Sequence, residues 1–127
     1  MSPGWTQKFN SAGISATTTD VLSQHVTGAS NYLISAKVNS PFANGAKQVS
    51  CTLIAVENDV QTPLDSSETL LLGNSTTTAK GVIALNSQYT PVGGNAAEVD
   101  IILGCATGGD TRTLTKGSMN VFGSTQN

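Results

Sequence analysis

His25 is the chain's only histidine, and it follows Asp20 by five residues in a sequence where serines are plentiful. Serine, histidine and aspartate are the parts of a hydrolytic triad, in which the imidazole takes the hydroxyl proton and the carboxylate orients the ring. In a Ser-rich chain these three types meet by chance, and the Gly-x-Ser-x-Gly elbow that would present a nucleophile at a strand-to-helix turn is absent. No catalytic residue is therefore expected, and the chain does not read as an enzyme. One histidine and two cysteines 54 positions apart also lack the close ligand pairs that zinc sites use.

Oxygen donors gather between residues 57 and 68, a polar stretch that contains Pro63 and reads as a long loop. Glu57, Asp59, Asp65 and Glu68 are the candidate metal ligands there, and Asn58 adds an amide oxygen. Calcium is the cation such a hard donor set would take, although the spaced acidic ladder of an EF-hand is missing. A solvated loop is the alternative, and no other cofactor is expected. Trp5, Phe9 and Tyr89 each lie in or beside Gly/Pro/Thr-rich segments and are expected outside the core, as ligand or assembly contacts. Exposed rings flanked by amides and hydroxyls can stack on sugars, whereas Trp5 could equally seal one end of the molecule. Asn74-Ser75-Thr76 fits the N-glycosylation acceptor pattern.

The elements that must position these residues are strands. Val49, Cys51, Leu53 and Ala55 share one face of an alternating stretch, and Val99, Ile101, Leu103 and Cys105 share one face of another. Cys51 and Cys105 thus sit on the large-hydrophobic side of each strand, which suggests a disulfide locking two layers of extended backbone. Two buried free thiols are the alternative. Tyr32, Ile34, Ala36 and Val38 alternate with polar residues from Asn31 to Asn39, and the strand from Gln48 to Val56 is expected to return beside them after the Pro41/Asn44-Gly45 turn.

Further strands are read at Trp5 to Phe9, Gly13 to Thr19, Leu70 to Leu72, Gly81 to Leu85, Glu98 to Thr107 and Arg112 to Gly123, where Met119 and Val121 face inward. The stretch from Thr18 to Thr27 is a polar strand or a connection. Gly73-Asn74, Ser75 to Thr78 and Gly108-Gly109-Asp110 are bends or turns. Strands broken by turns about every 10 residues mark an all-β antiparallel β-sandwich or jelly roll. Residues 1–12 are expected to form an extended N-terminal arm or edge strand, and 13–127 a single sandwich domain. An arm of this kind, nearly uncharged from Met1 to Ser11, could add to a neighbour's open sheet edge.

Parts of this pattern resemble the tumour-necrosis-factor/C1q-like jelly roll as found in small secreted bacterial proteins. The residues that carry the resemblance are Tyr32 to Val38, Val49 to Leu53, Leu64 to Ser67, Leu103 to Ala106 and Met119 to Val121. It implies a Cys-to-Cys staple, no enzymatic activity and association into trimers. The chain departs from that group in its low aromatic content of 5%. An immunoglobulin domain is a poorer match, because Trp5 precedes both cysteines instead of lying between them.

Charged residues make up 11% of the 127 residues and the formal net charge is -2. Such a surface stays wet through hydroxyls and amides, and copies repel one another only weakly. The six lysine and arginine residues are scattered at 8, 37, 47, 80, 112 and 116, so no basic stripe invites nucleic acid. No apolar run reaches the ~20 residues of a membrane-spanning helix. Met1 to Asn10 carries no signal-peptide pattern, so either a leader has been removed or secretion is not the route. Together these features point to an extracellular or cell-surface structural β-sandwich that self-associates in an oligomer, filament, surface layer or virion. A carbohydrate-binding module is the alternative.

Overall fold

A computed structural model describes residues 4–43, 45–73, 79–109 and 111–124. The Asn74-Ser75-Thr76 acceptor, the Ser75 to Thr78 bend, Met1 to Pro3, Asn44 and Asp110 lie outside the described residues. Among the described residues eight strands follow one another: β1 Gly4–Ile14, β2 Thr19–Val26, β3 Asn31–Ala43, β4 Gly45–Glu57, β5 Val60–Gly73, β6 Ala79–Tyr89, β7 Val99–Thr107 and β8 Arg112–Ser124. A single 3-10 turn, Gly94–Ala96, interrupts the connection into β7. The strands form two antiparallel sheets, ordered β1-β8-β3-β6 and β2-β7-β4-β5. This is the eight-stranded jelly roll.

Period-two patterning produces this fold directly. Tyr32, Ile34, Ala36 and Val38 from β3 face Val49, Cys51, Leu53 and Ala55 from β4 across a core in which each is no more than 3% exposed. Val99, Ile101, Leu103 and Cys105 of β7, with Leu114, Met119 and Val121 of β8, complete the same cluster. Burying each such aliphatic side chain contributes roughly 1.5–3 kcal/mol, which offsets the entropy of ordering the chain.

Three expectations about how the strands connect are corrected. The first concerns β4, which does not return beside β3; β3 pairs with β6 and β8, while β4 joins the opposite sheet. Among the eight strands only β4 and β5 are both consecutive and adjacent, so every other connection crosses between sheets. Strand patterning records which face is buried and leaves the partner strand unspecified.

The second correction concerns the region from Glu57 to Glu68, which is a hairpin and not a loop. Asn58 and Asp59 adopt left-handed backbone (φ 53° and 62°), and Glu57 pairs with Val60 across them. Positive φ at both central residues is the twist-matched two-residue turn, favoured by Asn and Asp. Pro63 is tolerated because β5 is an edge strand with a register shift opposite Leu53/Ile54.

The third correction concerns Cys51 and Cys105. They are bonded, with Cα atoms 4.1 Å apart, but they are directly opposed residues of neighbouring strands β4 and β7. The staple therefore lies within one sheet and does not lock the two layers together. A disulfide usually joins Cα atoms no more than about 6.8 Å apart. Inward-facing neighbours on adjacent strands meet that limit with no displacement of either sheet.

β1, which takes in residues 4–12 of the 1–12 segment expected as an arm or edge strand together with Gly13 and Ile14, runs along β8 at the edge of the first sheet, in register from Gly4/Phe122 to Ile14/Arg112. Phe9 lies over Gly117, where a Cβ would collide with the ring. The two edges where the sheets approach each other are closed by side chains. Gln7 Oε1 accepts the Ser23 backbone N–H at 2.7 Å, and Asp65 Oδ2 accepts that of Asn86 at 3.1 Å.

Candidate functional site

The residues singled out for chemistry separate once the fold is in place. Glu57 ends β4 and is 5% exposed. Its Oε1 accepts the Tyr89 hydroxyl at 2.6 Å and the Val92 N–H at 2.9 Å, and its Oε2 accepts the Gly93 N–H at 2.8 Å. The Tyr89 hydrogen bond, helped by the two amides, holds the carboxyl below its usual range against the opposing effect of burial. Tyr89 responds in kind: burial first, then the neighbouring carboxylate, push its phenol up to about 12. The pair ties the segment after β6 to the β4–β5 hairpin.

The other three acids lie elsewhere. Asp59 is exposed in the turn, Asp65 accepts the Ser66 and Asn86 amides, and Glu68 accepts from Gln48 Nε2 at 2.6 Å. The structure does not gather Glu57, Asp59, Asp65 and Glu68 around a common point, because a hairpin strings them along two strands where a loop would have folded them together. Among the described residues no three histidine, cysteine or acidic side chains are grouped as metal ligands.

The aromatic expectations are corrected as well. Trp5, Phe9 and Tyr89 are half-buried and packed against the core instead of lying outside it. Trp5 meets the fully buried Tyr32 edge-on, with ring centroids 5.8 Å apart. Strand alternation places positions 5, 7 and 9 on the inner side of β1, a phase that flanking glycines and threonines obscure. Phe122, by contrast, faces solvent at 58% exposure.

His25 does acquire acidic partners, though not Asp20. Its Nδ1 lies 2.8 Å from Asp100 Oδ1 and its Nε2 lies 3.5 Å from Glu98 Oε1, all on an exposed patch. The hydrogen bond to Asp100, then that to Glu98, raises the imidazole above its ordinary value. With both ring nitrogens turned to carboxylates, the arrangement favours imidazolium and provides no serine for a triad.

The broad surfaces are the two outer sheet faces, and they differ in charge. Strands β1, β3, β6 and β8 contain Lys8, Lys37, Lys80, Arg112 and Lys116 and no acid. Strands β2, β4, β5 and β7 contain Asp20, Glu57, Asp65, Glu68 and Asp100, with Lys47 as their one lysine or arginine and His25 paired to Asp100. On the first outer face, Phe122 and Leu33 stand side by side next to Gly4. Beyond them come a belt of Thr6, Asn120, Ser35 and Asn86, in which the Thr6 hydroxyl bonds Asn120 Oδ1 at 2.9 Å, and then Lys8 and Lys37 flanking Ser118. On the second, Ile102, Ile54 and Pro63 form an apolar row. Asp100 lies one row to one side of it, and Asp20 one row to the other.

No protein-family model matches the chain, and no curated protein matches it in sequence. Solved structures do match in shape. The structure of infectious bursal disease virus Gx strain shares 14% identity at a TM-score of 0.68, covering 100% of this chain and 34% of that one. The VP2 subviral particle of the same virus shares 14% identity at 0.64, covering 97% and 33%. The Eiger TNF of S. frugiperda shares 11% at 0.56, covering 81% of this chain and 66% of its own. The chain thus spans about a third of the length of the viral proteins it matches. At this identity the likeness is one of fold, and it places the chain among β-sandwiches of jelly-roll type, in agreement with the tumour-necrosis-factor-like resemblance read from its strands.

Proposed function

We propose that the chain is a non-enzymatic structural subunit, working at a cell surface or outside the cell, that associates with copies of itself. The observation that carries this reading is the outer face of the β1-β8-β3-β6 sheet. Leu33, Val82 and Phe122 are each more than half exposed there, amid threonine, serine and asparagine side chains. Exposed apolar residues set among neutral hydroxyl and amide side chains support contact with another protein surface better than solitary existence in water. The disulfide supports an oxidising compartment. Jelly rolls that build shells, such as the bursal disease virus particles, supply a precedent for the fold in this role and no more than that.

The glycan-binding alternative rested on Trp5, Phe9 and Tyr89, and their engagement with the core leaves it without a favouring observation. Analytical sedimentation and electron microscopy of the purified chain test the proposal. A concentration-dependent series of assemblies is expected; a strictly monomeric species at high concentration overturns it.

A further inference from the structure

We propose that the chain assembles by stacking the outer face of its β1-β8-β3-β6 sheet on the outer face of the β2-β7-β4-β5 sheet of a second copy. This inference rests on the self-association reading above and names the surfaces involved. Charge complementarity selects the partner. On the first sheet's strands Lys8, Lys37 and Lys116 are exposed and there is no acid, while on the second sheet's strands Asp20, Glu68 and Asp100 are exposed and Glu57 is buried away from the outer face. Sheets of the same kind brought face to face would oppose like charges; unlike sheets oppose unlike ones.

The apolar elements match the same pairing. Phe122 and Leu33 lie two rows from Lys8 and Lys37, a distance of roughly 13 Å at the strand rise. Seated on Ile102, Ile54 and Pro63, they would carry the lysine side chains across to the rows that hold Asp20 and Glu68, one and two rows from that apolar centre. Asp65, the acid at the β5–β6 corner, is occupied by the Ser66 and Asn86 amides and does not oppose this approach.

Four strands spaced about 4.8 Å apart, over four side-chain rows, give a contact of roughly 500 Å² per copy, or about 1,000 Å² in total. That is the lower end of what a specific interface needs, so a single contact is weak and salt-sensitive. The two surfaces are different and lie on opposite sides of one molecule, so the contact is heterologous. Each added copy leaves a fresh face of each kind, and the product is an open stack or filament unless the rotation closes a ring.

Charge reversal tests the pairing. Lys8→Glu with Lys37→Glu sets carboxylates against the rows of Asp20 and Glu68, and Asp20→Lys with Asp100→Lys sets lysines on the second face against Lys8 and Lys37; all four substituted positions are exposed. Sedimentation should show that each double variant loses the assemblies formed by the wild-type chain, and that an equimolar mixture recovers them as an alternating copolymer. Raising NaCl to about 0.5 M should increase the wild-type concentration needed for assembly about tenfold. Circular dichroism checks the fold, and Glu68→Lys replaces the aspartate pair if that variant does not fold, with partial loss of assembly expected. Wild-type assembly undiminished in the folded variants, or failure of the mixture to recover it, overturns the face pairing and leaves self-association standing. A wild-type chain that never assembles removes the underlying reading instead.

Discussion

Two polar clusters sit near the same end of the sandwich and put their carboxylates to opposite use. Glu57 is almost fully enclosed and satisfies three donors from the segment that leaves β6, whereas His25, Asp100 and Glu98 meet in the open on the rim of β2 and β7. The first cluster orders a piece of chain that has little regular structure of its own. The second joins residues whose strands are already paired by backbone hydrogen bonds and a hydrophobic inner face. Similar chemistry should therefore matter greatly in one place and little in the other, because water screens the exposed pair and would have to be readmitted to the buried one.

Removing the buried carboxylate gives the largest effect. Glu57→Ala strands three donors, and urea unfolding should show a loss of about 3 kcal/mol. Tyr89→Phe removes a single donor from the same cluster and should cost about 1.5 kcal/mol by the same measurement. At the exposed cluster, His25→Ala should change stability by less than about 0.5 kcal/mol, and still less in high salt. A larger loss there would erase the contrast.

Acidity separates the clusters further. Glu57 titrates lower in the folded chain than when unfolded, so its contribution is present above the ordinary carboxylate range and is lost as pH falls through the folded value. His25 is shifted upward, so its small contribution is complete below 6.5 and is lost as pH rises through the folded value. Thermal melts of wild type and Glu57→Gln should therefore converge in acid and separate toward neutral pH. The smallest expected effect is that of calcium: with the acids at 57, 59, 65 and 68 apart, millimolar calcium should move the melting temperature by less than about 1 °C.

The inner faces were legible in the sequence, since alternation at 32–38, 49–55 and 99–105 marks each buried hydrophobic side chain by parity alone. Pairing was not legible, because parity is the same whether β4 lies beside β3 or across from it. The hairpin at Asn58-Asp59 was missed because β5 is polar along its solvent side and contains a proline, both of which are traits of edge strands as well as of loops. The surface proposed for assembly carries the same ambiguity. Lys8, Lys37, Asp20 and Asp100 look scattered along the chain, and they sort into a basic and an acidic face only after the jelly roll assigns alternate strands to opposite sheets. The Glu57–Tyr89 tether likewise depends on two segments 32 residues apart meeting at one end of the sandwich.

The bond between Cys51 and Cys105, 54 positions apart, closes a covalent ring that takes in β5, β6 and β7, strands drawn from both sheets. Tension applied at the two termini would travel along β1 to β4, cross the sulfur bridge and leave through β8, bypassing everything inside the ring. Such a molecule, stretched until it unravels, would lengthen by the extension of only the outer segments and keep nearly half of its backbone slack. Built into a fibre, it would act as a link with a fixed limit of give under oxidising conditions and a much longer one once reduced.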